Sequence, residues 1–148
     1  MINLLKSLEI FIKRIFAKRI FLNPFKTQFE IKASRGAGKT TACVKFAKRM
    51  IRKKKTVIWI VPRYKYIVVL RHRFSRKAFP KIVFFAEQGD ERTITDILYS
   101  RQLFGRNRDV NNIVFVIDEV LLLRTPAIHK FVKEFCKRRG LPYIFTST

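Results

Sequence analysis

The sequence predicts an α/β fold in three layers, with a mainly parallel central sheet, helices on both of its faces and an amphipathic helix ahead of it. Three observations carry this expectation. Short apolar runs alternate with stretches of helical periodicity from residue 29 onward, the pattern of strands joined by crossover helices. The runs at 56–61 and 113–117 are almost continuously apolar, as strands buried on both faces are. A glycine-containing turn at 34–41 stands between a strand pattern and a helix pattern.

In chain order, Leu4, Leu5, Leu8, Phe11, Ile12, Ile15 and Phe16 recur at helical spacing among Lys6, Lys13, Arg14, Lys18 and Arg19, which predicts a basic amphipathic helix within 1–24. Packing of its apolar face on the domain is the plainer role, and a membrane surface or a partner is the alternative. Asn23-Pro24 breaks it. Residues 25–148 then read as one domain. Phe29, Ile31 and Ala33 alternate with polar residues as a first strand, and Cys43, Val44, Phe46, Ala47, Met50 and Ile51 mark the helix after the turn, closed by Lys53-Lys54-Lys55. A strand at 56–61 follows, then Pro62-Arg63, a basic helix over 64–79, a short strand at 82–85, a helix over about 93–104 and a strand at 113–117. Pro126 suits the first turn of a last helix with Ile128, Phe131, Val132, Phe135 and Cys136 on its apolar face, ended by Gly140. The final strand is 143–145.

The bulk numbers narrow the class. A chain of 148 residues with 48% hydrophobic content holds one core, which excludes a disordered tail. The formal charge is +23, and through Ile82 the acidic residues are Glu9 and Glu30 alone, so the first part of the chain is built to face phosphates. Cys43 and Cys136 have no metal-ligand spacing and read as buried thiols of a reducing compartment. Lys or Arg interrupts every apolar run before it reaches membrane-spanning length, and no cleavable leader is visible. The expectation is a cytoplasmic protein, in the host cytoplasm if the chain is viral.

The chemistry is expected at two places. In Ser34-Arg35-Gly36-Ala37-Gly38-Lys39-Thr40-Thr41 the small residues let backbone N–H groups converge on an anion at a helix N-terminus. Lys39 would neutralise the β- and γ-phosphates of ATP, and the Thr40 hydroxyl would bind Mg2+. Ala33 stands where the full pattern has its first glycine. The second place is Asp118-Glu119 at the carboxyl end of the strand 113–117, where α/β sheets bind ligands. Asp118 would hold the metal and Glu119 would orient an attacking water.

Taken together, the arginine-containing loop without a first glycine, Val61-Pro62-Arg63-Tyr64-Lys65 after the second strand, Asp118-Glu119 and the terminal Thr146-Ser147-Thr148 resemble the ATPase domain of viral DNA-packaging motors, the phage large terminase subunits and their relatives. The resemblance spans about 25–148 and implies a P-loop ATPase of the ASCE/RecA-like class working as a homo-oligomeric ring on double-stranded DNA, with a portal or capsid as partner. It further implies that Lys39, Thr40, Asp118 and Glu119 carry the roles above, and that Thr146 and Ser147 couple hydrolysis to DNA movement. Arg35 would sense the γ-phosphate or act in a neighbouring subunit, or it is a solvated loop arginine. Arg106 and Arg124 are further candidates for an arginine supplied between subunits, and Gln28 either contacts adenine or is a surface residue. The nuclease domain of large terminases has no counterpart in the sequence given, as expected of a minimal motor, of a motor whose cleavage is done elsewhere, or of a fragment.

Other readings keep parts of this. A helicase-like or phage-assembly ATPase would use the same residues. A basic nucleic-acid-binding module with a vestigial loop would bind DNA phosphates through Arg63, Lys65, Arg71, Arg73 and Arg76 alone.

Overall fold

The structure, a computed structural model, describes residues 3–8, 20–88, 93, 96 and 110–148. Its elements are β1 (Gln28–Lys32), α1 (Lys39–Arg52), β2 (Thr56–Arg63), α2 (Tyr64–Arg71), β3 (Ile82–Gln88), β4 (Ile113–Ile117), α3 (Pro126–Arg139) and β5 (Tyr143–Ser147). The five strands form one all-parallel sheet in the order β1-β5-β4-β2-β3.

Side chains alternate across a strand, so each buried strand feeds two cores. Val57, Trp59 and Val61 of β2, Val114 and Val116 of β4 and Ile144 of β5 pack with α1 and α2. Ile58 and Ile60, then Ile113, Phe115 and Ile117, then Tyr143 and Phe145 pack with Val132 and Cys136 of α3. The expected helix-covered parallel sheet is therefore present, and the continuous apolar runs mark its interior strands.

Several expectations change in detail. β2 continues through Pro62 to Arg63. Proline is tolerated because β4 pairs with β2 only from Thr56 to Ile60, so no neighbour on that side asks for an N–H at 62. The helix expected over 64–79 ends at Arg71. Phe74 there leaves the helical path to bury edge-on against Trp59, with ring centroids 5.9 Å apart, and Pro80 lies in the tight turn Phe79–Lys81 that follows. β3 runs on to Gln88, which brings the Glu87 carboxylate to the start of α3, where it accepts the backbone N–H groups of Arg124 (2.6 Å) and Thr125 (2.9 Å). A carboxylate on those free donors stabilises the helix start.

The helix expected over 93–104 falls outside the described residues except at its start. Thr93 N–H donates to Asp96 Oδ2 (2.9 Å) and Asp96 N–H to Thr93 Oγ1 (3.1 Å), a reciprocal pair of helix-opening type. These bonds hold the Asp96 carboxyl below its usual range. At the N-terminus, residues 3–8 are helical, but Leu4, Leu5 and Leu8 are 74%, 62% and 53% exposed, so this part of the apolar face does not pack on the domain. The remaining apolar positions of that pattern lie outside the described residues. Among the described residues no helix is long and apolar enough to cross a membrane.

Trp59 is fully buried between Phe74 and Phe84. Trp59→Ala should lower the free energy of unfolding by about 3–5 kcal/mol, as emptying a large aromatic site does. Trp59→Phe should retain most of the stability, and urea titration of the three chains measures both.

Candidate functional site

The turn between β1 and α1 is shaped by two glycines. Gly36 (φ 82°) and Gly38 (φ 90°) are left-handed, and nothing lies within 4 Å of a Cβ built on Gly36. The constraint there is conformation rather than space. Ala37 N–H closes a turn onto Ser34 O at 3.2 Å, and Ala42 N–H onto Gly38 O starts α1. Ala33 is not among the positive-φ residues, and its N–H continues the β1–β5 ladder to Ser147 O (3.0 Å). An alanine fits there because the position does not ask for a positive φ.

Lys39, the first residue of α1, is 6% exposed. Its ammonium donates to Ala33 O and to Thr148 Oγ1, each at 2.9 Å, and is ion-paired with Glu119. The adjacent Thr40 hydroxyl donates to Asp118 Oδ2 at 2.5 Å, and Thr146 Oγ1 donates to Asp118 Oδ1 at 2.6 Å while accepting the Glu119 N–H at 2.9 Å. Glu119 itself is left-handed (φ 60°, ψ 72°), a conformation that costs a non-glycine residue about 1–2 kcal/mol. Its N–H on Thr146 and its carboxylate between Lys39 and the Thr148 hydroxyl (2.9 and 3.0 Å) hold it there.

The expected pairing of loop and carboxylates is thus a single cluster at the carboxyl ends of β1, β4 and β5. A cavity of about 310 Å³ opens on it, lined by Gly36, Gly38, Lys39, Thr40, Asp118 and Glu119, with Arg35 and Thr41 at its edge. Ser34 and Arg35 are exposed. A second, more apolar cavity of about 320 Å³ meets the first at Thr40, Asp118 and Glu119 and extends past Pro62, Tyr66 and Val69.

Strand alternation separates the two residues expected to couple. Thr146 is buried with its hydroxyl in the cluster, whereas Ser147 contributes its carbonyl to the Ala33 N–H and, together with Thr146, His129 and Leu121, lines a different cavity. Thr148, two residues after Thr146, returns to the cluster. Its role was legible from the period of two along a strand. Arg73, expected on a DNA surface, is exposed and its guanidinium donates to Thr41 Oγ1, in the first turn of α1, at 3.2 Å. Arg63, Lys65, Arg71 and Arg76 are exposed, Lys65 over the ring of Tyr66. Gln28 donates to Leu141 O at 3.1 Å, Arg124 is exposed, and Arg106 lies outside the described residues.

Both thiols are free and buried. Burial pushes Cys43 well above the usual thiol range, and the nearby Asp118 charge adds to this; burial alone pushes Cys136 up to about 12. Buried, apolar surroundings of this kind are those of structural rather than reactive cysteines.

Among the described residues no group of three or more His, Cys, Asp or Glu could hold a metal ion. The Thr40 hydroxyl and the Asp118 carboxylate are nevertheless two converging hard-oxygen donors. That set suits Mg2+, which keeps waters and takes further ligands from phosphate rather than from a protein cage. Compared with models of protein families, with curated proteins and with solved structures, the chain matches none.

Thr146→Val removes one hydroxyl that serves both Asp118 and the backbone of Glu119. The expected loss of stability is about 1–3 kcal/mol, read by urea unfolding without nucleotide. A neutral substitution would show that this hydroxyl does not hold the two carboxylates.

Proposed function

We propose that the chain is a P-loop ATPase of the ASCE/RecA-like class that hydrolyses ATP to move double-stranded DNA, with viral genome packaging as its task. The observation that carries this reading is the place of β5. It lies between the strand that leads into the glycine turn and the strand that ends in Asp118-Glu119, and it brings Thr146 and Thr148 between Lys39 and the two carboxylates.

The roles follow from these positions. Phosphate oxygens entering the turn compete with Glu119 for the Lys39 ammonium, and the turn's amides meet them at the N-terminus of α1. Thr40 and Asp118 would hold Mg2+, which would supply positive charge to offset that of the phosphates. Released from Lys39, Glu119 is the carboxylate that orients the attacking water and accepts its proton. Arg35, which also lines the cavity, is besides Lys39 a cation placed to meet the γ-phosphate. Arg73 braces Thr41 and belongs to the nucleotide side of the molecule rather than to the DNA track.

Coupling to DNA has a physical route. Leu122, just past Glu119, shares the apolar cavity with Tyr66, Val69 and Leu70 of α2, and α2 with its flanks carries Arg63, Lys65, Arg71 and Arg76. A change in how Glu119 is held therefore reaches the basic surface through packed side chains. In a ring, these surfaces from successive copies would line the DNA.

Two experiments test this. Lys39→Ala should abolish ATP binding in a fluorescent-nucleotide titration, whereas Glu119→Gln should bind ATP and lose phosphate release; equal ATP affinity in wild type and Lys39→Ala would leave the chain a nucleic-acid-binding module. Duplex DNA should stimulate hydrolysis more than single strands do, and the reverse would favour a helicase-like motor.

Reversing Arg71 and Arg76 to Glu should lower the slope of log affinity for duplex DNA against log salt by about 2, with ATP binding retained. Arg73→Ala should weaken ATP binding and leave that slope nearly unchanged. An effect of Arg73 on the slope alone would return it to the DNA surface.

A further inference from the structure

We propose that the surface made by residues 20–26 and the outer face of the C-terminal half of α1 docks on an anionic lipid bilayer. Phe21 and Phe25 are 83% and 94% exposed. Phe25 N–H donates to Asn23 Oδ1 (2.9 Å) and Lys26 N–H to Asn23 O (3.2 Å), closing the turn at Pro24. Arg49 clamps this turn to α1, donating to Lys26 O at 2.8 Å and Asn23 O at 3.4 Å with its guanidinium over the Phe29 ring. Phe25 therefore protrudes from a pinned turn, and Phe21 lies just ahead of it.

Beside them is a groove of about 560 Å³ between Ile20, Phe21 and Leu22 on one side and Lys45, Lys48 and Arg52 on the other. Those three cations are exposed, and no carboxylate pairs with them among the described residues. The sequence has no Asp or Glu between Glu30 and Glu87. A cationic groove rimmed by protruding apolar rings suits a surface that is anionic at its headgroups and apolar just beneath.

A single-stranded nucleic acid would also meet cations and aromatic rings. The apolar side of this groove includes the aliphatic Ile20 and Leu22 beside Phe21, on which bases do not stack and which acyl chains accept. The surface is also remote from the phosphate cavity, because Lys48 and Arg52 lie roughly 14–20 Å along α1 from Lys39 at 1.5 Å per residue. Docking is therefore independent of the ATPase reading.

The test is sedimentation of the full chain with vesicles of equimolar phosphatidylglycerol and phosphatidylcholine, and with phosphatidylcholine alone, at physiological salt. Binding is expected to the first and not to the second. Lys45→Gln/Lys48→Gln/Arg52→Gln should weaken it on the order of a hundredfold, three surface cations being lost, and Phe21→Ser/Phe25→Ser by at least about tenfold. As a check that does not depend on lost binding, a Phe25→Trp chain should gain an emission component quenched by brominated phosphatidylglycerol. No binding to the anionic vesicles, binding untouched by either set of substitutions, or an unquenched Trp at 25 would each overturn the proposal. Loss of single-stranded oligonucleotide binding in the patch variants, without vesicle binding in wild type, would assign the surface to nucleic acid.

Discussion

Lys39 carries an ammonium into the protein, and a charge with so little access to water is stable only where other groups complete its coordination. Three do: the carbonyl of Ala33 at the end of β1, the hydroxyl of Thr148 just past β5 and the carboxylate of Glu119 just past β4. Gathering them at one edge requires the ends of β1, β5 and β4 to be neighbours, which is the strand order seen. An antiparallel β5 would place its other end at this edge and leave Lys39 and Glu119 without the hydroxyl between them. The fold's connectivity and the electrostatics of its cluster are one constraint.

The same economy extends to the carboxylates. Asp118 receives hydroxyls from both sides, Thr40 from the glycine turn and Thr146 from β5, so each oxygen is occupied and the side chain is fixed. Glu119 is held differently, in a left-handed backbone conformation and by a cation with other suitors. Of the two, Glu119 is the one held in a strained backbone conformation and by a single cation, so a group that displaced it from Lys39 would relieve that cost. Leu122, three residues on, lines the apolar cavity shared with α2, so packed side chains join the cluster to the helix that carries the basic surface.

The cationic half of the chain is not one surface. Arg49 holds the turn at residues 23–26, Arg73 braces the loop helix at Thr41, and Lys39 is buried at the cluster. Among the described residues, exposed cations stand at the end of β2 with α2 (Arg63, Lys65, Arg71) and, separately, on the outer face of α1 (Lys45, Lys48, Arg52). Net charge alone would have assigned all of it to one polyanion.

By itself the sequence determined the layered parallel sheet, because runs such as 113–117 admit only a strand covered on both faces. It also determined the pairing of Lys39 and Thr40 with Asp118 and Glu119, because a glycine turn before a helix and carboxylates after a buried strand are local patterns. The period of two along a strand puts Thr146 and Thr148 on one face of β5 and Ser147 on the other; tertiary structure alone decided that the face of the two threonines is the one turned toward Lys39 and Asp118. It decided that Arg73 turns toward Thr41, since the helix stops at Arg71 to bury Phe74 against Trp59, a contact between residues far apart in the chain. Local periodicity reports what a residue's own element requires; the partner of a long polar side chain is set by whichever distant strand end the fold delivers beside it.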